Sequence, residues 1–246
     1  MDHSSDEPSR RRFLKASLSV VPLVALGACG RPPEQGQASV ISGSAGATSS
    51  NTASKYIPQF FTDPEWRFIN AACDRLIPAD DVGPGAVESG VPEFIDRQML
   101  AAFGLAANWY MQGPYLPASP LFGYQGKQPP REVYRAGIAA TDDYCKKQFG
   151  GKIFTELNHS QQEQVLTGLE KGQIQFDATS ATDFFAFLLQ NTKEGYLADP
   201  IHGGNKNMGS WKMIGFPGAR ADFIDWVSRH GEQYPLGPVS ISGQAG

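Results

Sequence analysis

Residues 63–78 read Asp63-Pro64-Glu65-Trp66-Arg67-Phe68-Ile69-Asn70-Ala71-Ala72-Cys73-Asp74-Arg75-Leu76-Ile77-Pro78. Asp63 before Pro64 pairs an N-cap residue with proline at the first helical position, where the missing N–H has no intrahelical partner anyway. Trp66, Ile69, Cys73 and Ile77 then recur at three- and four-residue steps, which lines them up on one helical face. Pro78 stops the run. Cys73 falls on the apolar stripe, so it reads as a buried thiol.

The same pattern repeats outward from this segment. Pro92 opens a second helix with Phe94, Ile95, Met99 and Phe103 turned inward. A third starts near Pro130, carries Tyr134, Ile138, Thr141, Cys145 and Phe149 on one stripe, and ends at Gly150-Gly151. Ser160-Gln161-Gln162-Glu163 has the form of a capping box and starts a fourth helix that Gly172 closes. Thr182-Asp183 opens a fifth, with Phe184, Phe185, Phe187, Leu188 and Leu189, and a last short helix is expected over Ala221 to Arg229. Period-two alternation is sustained nowhere. The expected fold is all-α, an irregular helical domain with long Gly-, Pro- and aromatic-rich loops.

Those loops, 78–92, 104–130 and 195–220, are longer than a compact domain normally carries unless they serve function or contact a partner. Tyr110, Tyr115, Phe122, Tyr124 and Trp211 supply aromatic side chains of the kind that interface cores favour. They could equally fold back on the domain's own helices. The densest loop is Gly195-Tyr196-Leu197-Ala198-Asp199-Pro200-Ile201-His202-Gly203-Gly204-Asn205, continuing to Gly209, Trp211 and Ile214-Gly215-Phe216-Pro217-Gly218. Its glycines permit positive φ and close backbone approach, and Asp199-Pro200 and Pro217-Gly218 are turn dipeptides. The stretch reads as a folded-over loop with Trp211 as its plug, closer to a docking surface than to a catalytic cleft.

Toward the N-terminus, Ser9-Arg10-Arg11-Arg12-Phe13-Leu14-Lys15 is a twin-arginine export signal, with Arg10, Arg11, Phe13 and Leu14 as its carriers. The apolar run Ala16–Ala28 is about half of what a bilayer-spanning helix needs, and Pro22 and Gly27 weaken it as a span. It ends Leu26-Gly27-Ala28-Cys29, which resembles a lipobox, so Cys29 is the expected lipidation site; cleavage by the ordinary signal peptidase, with loss of Cys29, is the alternative. Residues 30–55 are Ser-, Gly-, Ala-, Thr-, Pro- and Gln-rich and nearly free of large apolar side chains, the composition of a flexible tether. The expected organisation is a twin-arginine signal peptide at 1–28, a lipid-anchored linker at 29–56 and a helical domain at 57–246. Folded export is needed when a cofactor or tight partner must be assembled before crossing.

Residues 1–28 hold four basic side chains (Arg10, Arg11, Arg12, Lys15) and three acidic ones (Asp2, Asp6, Glu7). From totals of 21 and 25, the remainder keeps 17 Lys and Arg against 22 Asp and Glu, a charge of −5. With no basic run left, there is no electrostatic footprint for nucleic acid. Of three cysteines, Cys73 and Cys145 would remain beside Cys29 in an oxidising compartment; they are candidate disulfide partners, of each other or of another chain, or buried thiols. Two cysteines and four scattered histidines offer no zinc or haem spacing.

Candidate chemical motifs resolve into turns. Gly83-Pro84-Gly85 fails as a dinucleotide fingerprint, because no strand precedes it, the third glycine is misplaced and Pro84 interrupts it. Asp80 and Asp81 are adjacent, so their carboxylates point apart and fit a turn after Pro78 better than an acid/base pair. Asn158-His159-Ser160 matches a glycosylation acceptor, but capping and a bacterial export signal argue against that use. No nucleophile elbow or ordered Ser/His/Asp set is present. His159, His202 and His230 are isolated, and no catalytic or cofactor-binding residue is assigned.

Asp199-Pro200-x-x-Gly203-Gly204-Asn205, followed by Trp211-Lys212-x-Ile214-Gly215-Phe216-Pro217-Gly218, closely resembles the small (gamma) subunit of membrane-bound gluconate 2-dehydrogenase, the subunit 3 family. Leu76-Ile77-Pro78-Ala79-Asp80-Asp81, Gly83-Pro84-Gly85-Ala86 and Tyr134-Arg135-x-Gly137 resemble its other landmarks, over residues 60–220. The resemblance implies a heteromeric, periplasm-facing dehydrogenase. Its large subunit, of the glucose–methanol–choline type, binds FAD and oxidises a sugar or sugar acid; a cytochrome c subunit with haem c takes the electrons onward. The small subunit is implied to be non-catalytic and to escort the folded flavoprotein through the twin-arginine translocase. Asp199, Pro200, Gly203, Gly204, Asn205, Trp211, Gly215, Pro217 and Gly218 become the expected partner interface, with Cys29 holding the assembly on the membrane. Two other readings stay open: a free-standing periplasmic lipoprotein that binds a small molecule, and an enzyme with its own cofactor.

Overall fold

The computed structural model describes residues 56–116 and 118–246. The expected signal peptide and all but the last residue of the expected linker, with Arg10, Arg11, Phe13, Leu14 and Cys29, lie outside the described residues. Six α-helices are present and no strand among the described residues: α1 (Asp63–Leu76), α2 (Val91–Leu100), α3 (Pro130–Gln148), α4 (His159–Glu170), α5 (Ala181–Leu197) and α6 (Gly209–Ile214). The all-α expectation holds for these residues, and no helix among them is long and apolar enough to cross a membrane.

α5 is the central element, packed against α1, α2, α3, α4 and α6. It is apolar around most of its circumference, as a helix enclosed by neighbours must be: Phe184, Phe185, Phe187, Leu188 and Tyr196 are all buried. Two glycines let neighbouring helices approach closely. A Cβ on Gly137 would sit 2.3 Å from the Phe184 ring, and one on Gly195 would sit 2.7 Å from that of Phe94. Tyr134 is fully buried, and its hydroxyl donates to Asn191 Oδ1 at 2.9 Å, so α3 and α5 share a polar contact inside an apolar core.

The helix starts differ in detail from the sequence reading. α1 is capped by Thr62 rather than Asp63: the Glu65 carboxylate accepts from the Thr62 N–H at 2.8 Å and its hydroxyl at 2.9 Å, which draws the helix back by one residue. α4 is capped by Asn158 rather than Ser160. Asn158 Oδ1 accepts from the Gln161 N–H at 2.9 Å, and Gln161 Oε1 accepts from the Asn158 N–H at 3.2 Å, a complete capping box.

The helix expected over Ala221 to Arg229 is not formed; only a 3-10 turn, Ile224–Trp226, is present. Asp222 Oδ1 accepts from the Ile224 N–H at 2.8 Å, a local turn that competes with a helical start. α6, in contrast, lies inside the stretch read as loop. Its six residues, Gly209–Ile214, are too few to show a period.

Cys73 and Cys145 are both free and fully buried. Cys73 Sγ lies 3.7 Å from Thr192 Oγ1. Burial pushes both thiols up to about 12, which leaves almost no thiolate near neutral pH.

Candidate functional site

The loop 195–218, the segment 78–90 and the end of the chain meet at one end of the bundle. α5 stops at Leu197, and Asp199 Oδ1 accepts from the Ile201 N–H at 3.1 Å to start a 3-10 turn, Pro200–His202. Gly203 follows in the left-handed region at φ 96°. The backbone then presses on α5 so tightly that a Cβ on Gly204 would lie 2.1 Å from the Gly195 carbonyl oxygen. Asn205, also left-handed at φ 46°, turns the chain into the second 3-10 turn, Lys206–Met208, and so into α6.

Asn205 is fully buried and acts as a clamp. Its Nδ2 donates to the Ala198 carbonyl at 2.9 Å, and its Oδ1 accepts from the Ser210 N–H at 3.1 Å. The Ser210 hydroxyl lies between Asn205 Oδ1, at 2.7 Å, and the Tyr196 carbonyl. Trp211 Nε1 donates to the Leu197 carbonyl at 2.8 Å, and the Trp211 ring meets Phe216 edge-on with centroids 5.1 Å apart. The Tyr196, Leu197 and Ala198 carbonyls at the C-terminal end of α5 thus each meet a side-chain donor, as buried backbone requires.

Asp199 holds the chain end. Besides Ile201, it accepts from the Ser240 hydroxyl at 2.6 Å and, through Oδ2, from the Ile241 N–H at 2.8 Å. Burial by itself would raise the Asp199 carboxyl. The hydrogen bonds from Ser240, Ile241 and Ile201, with His202 nearby, outweigh it and hold the carboxyl below the ordinary Asp value. Nearby, Gly218 at φ 72° pairs with Val239, and a Cβ there would lie 2.2 Å from the Val239 oxygen.

The 78–90 segment closes the other side. Tyr196 donates to the Pro84 carbonyl at 2.8 Å. The Lys206 N–H donates to the Ser89 carbonyl at 2.9 Å. Glu93, buried at the start of α2, pairs with Lys206 Nζ at 2.6 Å and with Arg97. Asp80 Oδ1 accepts from the Val82 and Gly83 N–H groups at 2.9 and 3.1 Å, the turn anticipated for it. Among the described residues no group of three or more His, Cys, Asp or Glu is placed to hold a metal ion.

The nine expected interface residues divide by position. Asp199, Gly203, Gly204, Asn205 and Trp211 are buried within this chain, where they bond or pack internally. Pro200, Pro217 and Gly218 are half-buried and Gly215 is exposed. The exposed apolar side chains of these segments are instead Val82, Leu197, Ile201, Met213, Ile214, Phe216, Leu236 and Ile241, interspersed with exposed His202, Lys206 and Lys212. A second exposed apolar group, Tyr110, Leu116, Leu121 and Phe122, lies on the 104–130 loop beside a groove of about 830 Å³ lined by Tyr115, Tyr124 and Phe187.

Ser210, Ser240, Ile241 and Tyr196 were not singled out from sequence. Ser240 and Ile241 sit in a polar tail with no periodic signal, and only the folded chain brings them to Asp199. Asp96 was missed as well. It is a fully buried carboxylate on α2 that accepts from the Tyr56 hydroxyl and the Gln59, Phe60 and Phe61 N–H groups at 2.8–3.1 Å. Its place on the inward face beside Ile95 and Met99 is the signal that could have found it.

At this end Asp199, Asn205 and Ser210 are buried in hydrogen bonds within the chain, while Ile201, Met213, Ile214 and Phe216 are exposed beside His202, Lys206 and Lys212, the mixed apolar and polar make-up common in protein–protein contacts. No curated protein and no solved structure matches the chain. A family model described as Gluconate 2-dehydrogenase subunit 3 matches residues 63–218, from the first residue of α1 to the glycine that pairs with Val239.

Proposed function

We propose a function on one premise: this chain belongs to the gluconate 2-dehydrogenase subunit 3 family. It is accordingly a component of a gluconate 2-dehydrogenase type complex. Its own role is that of a non-catalytic small subunit. It escorts the folded FAD-carrying subunit, of glucose–methanol–choline type, through twin-arginine export and then stabilises it on the periplasmic side. A cytochrome c subunit with haem c completes the complex, and lipidated Cys29 ties it to the membrane.

The observation that carries this reading is the family motif itself. Its residues from Asp199 to Gly218 fold around the buried Asn205 and Trp211 and leave Ile201, Met213, Ile214 and Phe216 exposed. The leader at Arg10 and Arg11 supports the escort, and the 29–56 linker would give an anchored domain reach.

Changing Arg10 and Arg11 together to Lys tests the escort role. The flavoprotein subunit should then stay in the cytoplasm with its FAD bound. Unchanged export of that subunit would end the escort reading, and stoichiometric flavin on the small subunit purified alone would end the non-catalytic one.

A further inference from the structure

The 104–130 loop and the first half of α5 enclose the groove of about 830 Å³ described above, and a second cleft of about 470 Å³ adjoins it. Tyr115, Tyr124, Gln125 and Gly126 line both, so the two form one continuous depression. Each is of the size that small-molecule sites have.

Its floor is a set of rings in mutual contact. The Phe187 ring of α5 lies 4.9 Å from that of Tyr124 and 6.2 Å from that of Trp109, and Trp109 and Tyr124 stand 6.1 Å apart, centroid to centroid. All three rings line the depression. The Tyr124 hydroxyl donates to the Gln128 carbonyl at 2.8 Å, which fixes that ring in place.

Polar side chains surround the floor. Gln112 and Gln125 come from the loop, and Gln190 from α5. Gln125 Nε2 donates to the Phe122 carbonyl at 3.2 Å and Gln190 Nε2 to Glu194 at 2.8 Å, while the Gln112 side chain makes no hydrogen bond among the described residues. An amide has two donor hydrogens and an acceptor oxygen, so all three keep hydrogen-bonding capacity for a ligand. Lys127 and Asp183 also line the groove, and neither has an ion-pair partner within 4 Å among the described residues. Their formal charges cancel.

This lining selects a chemistry. The face of an aromatic ring is negative and attracts weakly positive C–H groups laid against it. Amides donate and accept, as hydroxyls do. An apolar ligand would strip water from three glutamines and return no hydrogen bond, which is costly. A polyanion would meet one lysine and a carboxylate in the same groove.

We propose that the depression between the 104–130 loop and α5 binds a neutral carbohydrate. The C–H face of a sugar ring stacks on Trp109 and Tyr124, and Gln112, Gln125 and Gln190 pair with its hydroxyls. No bond is made or broken there. The site belongs to this chain alone and goes beyond the subunit reading without resting on it.

The test is calorimetric titration of the full chain with glucose, maltose and sorbitol, the last a polyol with no ring face to stack. Glucose or maltose should bind saturably at one site, and sorbitol about tenfold or more weakly. Tryptophan emission should shift on binding, and W109F should abolish that shift while still binding sugar. Q112A/Q125A, at exposed positions, should keep the wild-type melting temperature and bind about tenfold more weakly, as loss of two hydrogen bonds does. L121S/F122S, on the same loop but lining neither cleft, should bind as wild type. Absence of saturable binding by both sugars overturns the proposal. So does sorbitol binding as tightly as glucose, wild-type binding by Q112A/Q125A, weakened binding by L121S/F122S, or an emission shift that survives in W109F. None of these outcomes bears on export of the flavoprotein, so the subunit reading stands or falls separately.

Discussion

The helical bundle and the motif end solve different physical problems. The bundle, α1 to α5, is held by apolar burial around Phe68, Tyr134, Phe184 and Leu188, and each contact there is one of many. The motif end has glycines at close backbone contacts and buried polar groups at single-partner distances: Asn205 to Ala198, Trp211 to Leu197, Asp199 to Ser240. Burial is non-directional and tolerates adjustment. A buried hydrogen bond does not, since losing one partner leaves the other unsatisfied. The bundle should therefore respond to lost volume, and the motif end to lost geometry.

Phe184→Ala gives the largest expected effect. Removing this fully buried ring from beneath Gly137 should cost about 3–5 kcal/mol in urea denaturation and lower the protection of α3 and α5 together. Gly204→Ala comes next. Its Cβ would lie 2.1 Å from the Gly195 oxygen, so the loop must shift, at about 1–3 kcal/mol by thermal or urea unfolding. If the comparison is right, exchange protection falls first in 195–218 rather than in the bundle.

Asp199→Asn should cost about 1–3 kcal/mol, because an amide turns a donor toward the Ile241 N–H or the Ser240 hydroxyl. The pH dependence has a definite sign. The folded carboxyl is held below its ordinary value, so its contribution is present above the unfolded Asp value of about 3.9 and is lost as pH falls through the lower folded value. Wild-type stability measured by denaturation from pH 6 downward should drop more steeply below about pH 4 than that of the variant. Asp142 provides the opposite case. Burial raises its carboxyl despite the bond from the Phe154 N–H, so its contribution is complete at low pH and is lost as pH rises through the raised value.

The cysteines sharpen the contrast without unfolding anything. Cys73 and Cys145 should resist a thiol reagent at pH 7.5 in the native protein and both react in denaturant, read by mass. Fast native labelling of either would contradict their burial. The smallest effect belongs to Leu121→Ser. That side chain is 95 % exposed, and its loss should change stability by no more than about 0.5 kcal/mol.

The division also explains what could be read from sequence. The bundle's helices follow from stripes such as Trp66, Ile69, Cys73 and Ile77, and their starts could be placed to within one or two residues. Thr62 and Asn158 displaced Asp63 and Ser160 as caps because competing polar residues stand side by side, and only the geometry of Glu65 and Gln161 selects between them. The motif end was recognisable by its composition, yet its inner workings were not. Trp211 was readable as a plug, whereas α6 and the tail clasp left no periodic trace. The expected helix at Ala221–Arg229 failed because Asp222 holds the Ile224 N–H in a local turn and the Phe223 and Trp226 rings pack on Tyr234 across the loop.

By itself the sequence determined the helical class, the burial of both domain cysteines' stripes and the family, because periodicity, caps and motif spacing are local properties of the chain. The tertiary structure decided which motif residues are buried, that Asp199 joins Ser240 and Ile241 across some forty residues, and which apolar side chains stay exposed. Those outcomes depend on which distant segments can satisfy one another's buried hydrogen bonds, and nothing in the order of residues near Asp199 records that partnership.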